Sequence, residues 1–264
     1  MPVLSRTIEV SFTLQSFPRN NYTMLKNFLK KIIKAIPINF TKNQQYDAQT
    51  KKVIERVCKR GSNCIDIGAH KGEVLDQIIN AAPEGNHFAF EPIPFLFQNL
   101  KKKYAGNAKI IVKDIALSNN TGTASFNLVV SNPSYSGLVK RKYDRPNEKD
   151  ESINVTTELL DNVLDEKFLV DLIKIDVEGG ELLVLEGAKK TIARCQPTII
   201  FEHGLGASDC YGTKPEQVFN LLTDCGLKVS LMKKWLQNEP PFSLKEFTET
   251  YYSSKDYYFI AYAS

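Results

Sequence analysis

What this chain lacks narrows the field first. It holds no run of about 18 apolar residues, so no membrane-spanning helix is expected. Its first residues lack the charged-then-apolar layout of a secretory signal. Cysteine is sparse: Cys58, Cys64, Cys195, Cys210 and Cys225, an odd number with no C-x-x-C spacing. A disulfide framework or zinc site is therefore not expected, and a reduced, cytoplasmic setting is. Charge of one sign is also missing. A net charge of +4 over 264 residues is too small to argue for a nucleic-acid partner. There is no internal repeat and no low-complexity tract.

What is present alternates. Short apolar runs that read as strands (63–67, 87–91, 109–113, 172–176 and 198–202) are separated by helical patterns near 72–81, 94–104, 179–194 and 214–225. Strands spaced by helices mean βαβ units and a parallel sheet covered on both faces. Two later strands, about 227–232 and 257–262, are expected to pair antiparallel at one edge. Residues 109–130 read as a hairpin-like extension, and 131–150 as a polar loop carrying Tyr135, Arg141, Lys142 and Arg145. A helix over about 47–59 precedes the first strand. A basic amphipathic helix over 22–36 packs on the main domain, with weak contact to an anionic membrane as the other reading. We divide the chain into an N-terminal extension, 1–45, and a main domain, 46–264.

The first strand runs into Asp66-Ile67-Gly68-Ala69-His70-Lys71-Gly72 and opens a helix. A dinucleotide fingerprint would place glycine where Asp66 stands. A carboxylate there repels a pyrophosphate and suits an amine or hydroxyls, so the turn points away from NAD and toward S-adenosylmethionine. Glu91-Pro92 ends the second strand about 20 residues beyond Gly72, where an acid accepts from ribose hydroxyls and the proline projects it outward. Asp114 and Ile115 end the third strand, placed for an adenine amino group and ring. The fourth strand ends in Asp176-Val177-Glu178-Gly179-Gly180, and the fifth delivers Glu202 and His203 to the same carboxyl edge, where open α/β sheets bind ligands. The alternative reading of Glu178 is a helix cap. Glu178, Glu202 and His203 are the candidates for a general base, unranked. His70, Asp176, Glu178, Glu202 and His203 include metal-ligating types, but nothing in their spacing calls for a metal. No Asn/Asp-Pro-Pro-aromatic tetrapeptide follows the fourth strand, which argues against amino methylation of nucleobases.

The runs CIDIGAHKG, FAFEP, DIALS, LIKIDVEGGELLVLEGA and IIFEHG together resemble the FkbM family of S-adenosylmethionine-dependent methyltransferases, over roughly residues 46–205. The resemblance implies the Rossmann-like class I methyltransferase fold, an α/β fold with a mostly parallel seven-stranded sheet, helices on both faces and an antiparallel C-terminal strand. It implies O-methylation of a hydroxyl on a sugar, glycolipid or secondary metabolite. By it, Gly68, Ala69 and Gly72 line the methionine side of the cofactor, Glu91 holds the ribose, and Asp114 with Ile115 holds the adenine. Asp66, His70, Pro92 and Asp176 complete the expected cofactor set. His70 stands where many members carry Asn. The expected partner is a small-molecule or glycan acceptor. A nicotinamide-dependent oxidoreductase and a non-catalytic cofactor-binding module are the alternatives.

Overall fold

The computed structural model describes residues 41–143 and 147–263. The chain divides after Gln44, and the unit Gln45–Ser264 carries the fold. The basic helix expected over 22–36, its membrane contact and nearly all of the 1–45 extension lie outside the described residues, as does Arg145.

In chain order the elements are α1 (Lys42–Val57), β1 (Cys64–Ile67), α2 (Glu73–Ala81), β2 (His87–Phe90), α3 (Pro94–Tyr104), β3 (Ile110–Lys113), β4 (Ile115–Leu117), β5 (Gly122–Val129), β6 (Asp150–Glu158), α4 (Leu160–Val163), β7 (Leu172–Ile175), α5 (Glu181–Gly187), α6 (Lys189–Cys195), β8 (Thr198–Glu202), α7 (Pro215–Asp224), β9 (Lys228–Leu231), α8 (Met232–Leu236), α9 (Leu244–Ser253) and β10 (Tyr258–Tyr262). The main sheet has seven strands in the order β3-β2-β1-β7-β8-β10-β9. Pairing is parallel from β3 to β8, and β10 is antiparallel to both β8 and β9. The expected class of fold is thus the one observed. The C-terminal pair lies antiparallel at one edge as expected, with β10 between β8 and β9.

Two expectations fail locally. Residues 109–130 are no hairpin: β5 pairs antiparallel with β6, and β4 runs parallel to β6, giving a separate three-stranded sheet. The helix expected over 179–194 breaks at Ala188 into α5 and α6. At the break, a Cβ on Gly187 would lie 2.0 Å from the Ser118 carbonyl oxygen, so the chain crosses there only because that side chain is missing.

Strand residues alternate between two apolar layers. Ile65, Ile67, Ile173, Ile175 and Phe201 face α4–α7 and α9, while Cys64, Leu172, Ile200 and Ile260 face α1, α2 and α8. Both layers are buried, which is why these strands are near-continuous apolar runs.

Candidate active site

On the face toward α1, each central strand changes from apolar to ionic within one side-chain repeat as it nears its carboxyl end. Cys64 is followed by Asp66, Leu172 by Lys174, and Ile200 by Glu202. Register then assembles these residues: Asp66 lies opposite Lys174, and Tyr258 opposite Glu202. Lys174 Nζ stands 3.1 Å from Asp176 Oδ2 and 3.9 Å from Asp66 Oδ1. The Tyr258 hydroxyl donates to Asp176 Oδ2 at 2.6 Å. Carboxylate oxygens of Asp176, Glu178 and Glu202 lie within 4.8 Å of one another. That spacing would suit a cation, but Lys174 already sits on Asp176, and Arg141 forms an ion pair with Glu178.

So many carboxyls in one buried place cannot all ionise cheaply. Burial pushes Glu178 up to about 8, with Asp176 adding to the rise and Arg141 opposing it. Burial, then Asp176 and Glu178, raise Glu202 well above the usual carboxylate range. Asp176 goes the other way. Burial would raise it, but Lys174 and hydrogen bonds from Tyr258 and Glu202 hold it below its ordinary value. Roles therefore separate: Asp176 stays charged, while Glu202 keeps its proton and shares it with Asp176. Glu178 has φ 56° and Gly179 φ 104°. A left-handed glutamate costs energy, and it aims this carboxylate out of the end of β7. α5 has no side-chain cap; Glu181, its first residue, braces the turn before it instead, Oε1 accepting from Gly179 N–H at 3.0 Å and Val177 N–H at 3.4 Å.

The turn after β1 is held tightly. Gly68 and Ala69 both donate to the Phe90 carbonyl at 3.0 Å, and His70 N–H donates to Glu91 Oε2 at 2.8 Å. These amides serve the fold and do not form an anion cradle. Glu91 does not project outward as its proline suggested. It turns back, with Ile93 N–H on Oε1 at 2.9 Å, and is 4% exposed. Buried amides outcompete water for it, and burial lifts it to about 7. Each oxygen still has a lone pair for a hydroxyl donor. Asp66 is fully buried, and neither oxygen accepts a hydrogen bond among the described residues. Burial raises it to about 6, against the pull of Lys174. Asp114 is exposed between β3 and β4, and Ile115 and Pro92 are half-buried beside the same edge.

His203 is the residue that the structure removes from the site. It follows Glu202 and so faces the opposite layer, stacked on Tyr251 with ring centroids 4.8 Å apart. It is 0% exposed, and neither ring nitrogen has a partner among the described residues. Burial drops it to about 4. It is a neutral core side chain, and a proton acceptor sealed among aromatic rings reaches no substrate. Sequence reasoning placed Arg141 in a polar loop but not on Glu178, and it gave Lys174 and Tyr258 no role. Lys174 alone carried a signal, as a charge inside an otherwise apolar strand.

The sequence model described as "Methyltransferase FkbM domain" matches residues 66–229. Similar solved structures include the methyltransferase FkbM of Methylobacillus flagellatus KT (16% identity, TM-score 0.47, 77% of this chain and 44% of that one). They also include the precorrin-6y C5,15-methyltransferase of Geobacter metallireducens GS-15 (16%, 0.44, 86% and 91%) and Aeropyrum pernix fibrillarin with natively bound S-adenosyl-L-methionine (12%, 0.41, 78% and 67%). The chain thus spans less than half the length of the Methylobacillus protein. No curated protein matches it.

Proposed function

Because this chain belongs to the FkbM family of methyltransferases, with S-adenosylmethionine as cofactor, we propose that it methylates a hydroxyl oxygen on a sugar, glycolipid or secondary metabolite. One observation carries this reading: the Asp176–Glu178–Glu202 cluster at the carboxyl edge, beside the turn that would hold the cofactor. Family membership displaces the nicotinamide alternative, and the amides of Gly68, Ala69 and His70 are spent inside the fold, so none of the three can cradle a pyrophosphate.

The residues fit the cofactor. Asp66 is a buried carboxyl whose oxygens accept no close hydrogen bond among the described residues, Lys174 Nζ standing back at 3.9 Å, which leaves acceptor capacity for an amine. Gly68, Ala69, His70 and Gly72 would line the methionine side. Glu91 and Pro92 would hold the ribose, Asp114 and Ile115 the adenine, and Asp176 the inner wall. When bound, the cofactor supplies a methyl group on a cationic sulfur, an electrophile that needs no acid. The protein's task is then alignment, worth ~7–11 kcal/mol, and removal of the hydroxyl proton, worth ~10²–10⁴ in rate. Glu178 is our base. Its carboxyl titrates at about 8, near working pH, and Arg141 keeps it oriented. Glu202 already holds a proton and steadies Asp176.

The test is transfer of a labelled methyl group to a glycan panel and a cell extract, with products weighed by mass spectrometry. Glu178→Gln should lower turnover by ~10²–10⁴ and abolish a rising limb near pH 8. Affinity for S-adenosylhomocysteine should change little. A methyl group found on nitrogen or carbon overturns O-methylation. Full turnover in both Glu178→Gln and Glu202→Gln overturns the carboxylate base.

A further inference from the structure

Away from the carboxyl edge, two nucleophilic side chains meet that methyl transfer does not use. Cys58 Sγ and Cys64 Sγ are 3.6 Å apart, both as free thiols. The local chain brings them together. Cys58 extends the last turn of α1, its N–H donating to the Ile54 carbonyl at 2.8 Å. The chain then reverses through Lys59–Ser62, closed by Ser62 N–H on the Lys59 carbonyl at 3.0 Å and by Lys59 N–H on Ser62 Oγ at 3.0 Å. Cys64 opens β1. The other three cysteines show no such meeting: the sulfurs of Cys195, Cys210 and Cys225 approach the carbonyls of Phe168, Gly206 and Lys189.

We propose that Cys58 and Cys64 form a reversible thiol–disulfide couple, a modification site that a small disulfide such as glutathione disulfide oxidises. The sulfurs need to close by only about 1.5 Å to reach bonding distance. The two positions are unequal in the way such a couple requires. Cys58 is half-buried, while Cys64 is 0% exposed. The shared S–H contact lowers the Cys58 thiol and raises that of Cys64, so Cys58 is the attacking thiolate.

The chemistry balances in two exchanges. Cys58 thiolate attacks one sulfur of glutathione disulfide, forming a mixed disulfide and expelling one glutathione thiolate. Cys64 attacks the Cys58 sulfur as its proton passes to the departing second glutathione thiolate, which leaves as the thiol. Two protein thiols lose two electrons, and one glutathione disulfide becomes two molecules of glutathione. The bond ties the end of α1 to β1, two residues before Asp66, without entering the site.

The test uses the full chain in native buffer with glutathione disulfide. The free thiols, counted after unfolding in acid, should fall from the five of the sequence to three. The intact mass should drop by about 2 Da with no retained adduct, and dithiothreitol should reverse both changes. Trypsin should yield a linked peptide pair carrying Cys58 and Cys64. Cys64→Ser (or Cys64→Ala, should the serine variant fail to fold) should instead accumulate one glutathione on Cys58, and Cys58→Ser should take up none at Cys64. Five thiols surviving in the wild type, a stable adduct on Cys58 with Cys64 present, or a disulfide mapped to other cysteines each overturns the proposal.

Discussion

Gly68 shows how much one residue decides. Its φ is +75°, and a Cβ there would lie 1.9 Å from the carbonyl oxygen of Asp176. The turn after β1 and the end of β7 touch only because that side chain is absent. Gly68→Ala should therefore cost ~3 kcal/mol or more, combining backbone strain with a clash against main chain that cannot yield. Urea unfolding of wild type and variant checks this, and a loss under about 1 kcal/mol would mean the two segments separate easily. Arg141 is the matching case in electrostatics. It lowers the Glu178 carboxyl, so Arg141→Ala should move the rising limb of the rate profile to higher pH while leaving S-adenosylhomocysteine binding in place. An unmoved limb would show that Glu178 is not the titrating group.

Among the elements, those with strong local signals were the readable ones. β1, β2, β7 and β8 are mostly apolar because both faces are covered, and α2 and α7 carry a clean helical stripe. β6 was invisible for the opposite reason. Asp150–Glu158 is a polar strand, mostly exposed over its first half, and its identity comes from pairing with β5 about 30 residues away. α9 was missed too, though it carries its own start signal. Ser243 Oγ accepts from Glu246 N–H at 3.3 Å, and Glu246 Oε2 accepts from Ser243 N–H at 2.7 Å, a capping box. This helix buries Phe247 and Tyr251 and builds the aromatic wall around His203. Ser243→Ala should cost ~1 kcal/mol in denaturant unfolding.

For the whole molecule, the buried carboxyls set a pH dependence. Asp66, Glu91 and Glu181 are pushed up by burial to about 6, 7 and 7. Between ~4, where they titrate unfolded, and those values, the folded chain binds protons that the unfolded chain has released. Their contribution is complete below ~4 and is lost as pH rises through 6–7. His203 acts in reverse. Held at about 4 by burial, it contributes above ~6.5 and loses that contribution as pH falls. The cofactor-free protein should therefore be most stable in mildly acidic buffer, and its melting temperature should fall from pH 6 to pH 8.5. Glu181→Gln should flatten that fall, and His203→Leu should flatten the decline on the acid side. Calorimetry across pH checks both, and a stability maximum at alkaline pH would contradict the assignment.

The sequence by itself determined the fold, through strands apolar enough to need cover on both faces, and it picked out the glycine turn after β1 and the acidic strand ends by their chemistry. Those signals are local, a few residues long, and need no partner to be read. Only the tertiary structure decided which acids act together. Whether Glu202 or His203 joins Asp176 depends on which face of the sheet each occupies, and that follows from register and layer packing. The same packing brings Tyr258 from the last strand and Arg141 from the loop between β5 and β6 onto carboxylates dozens of residues away. A charge's neighbours in space set its protonation, and no spacing along the chain records them.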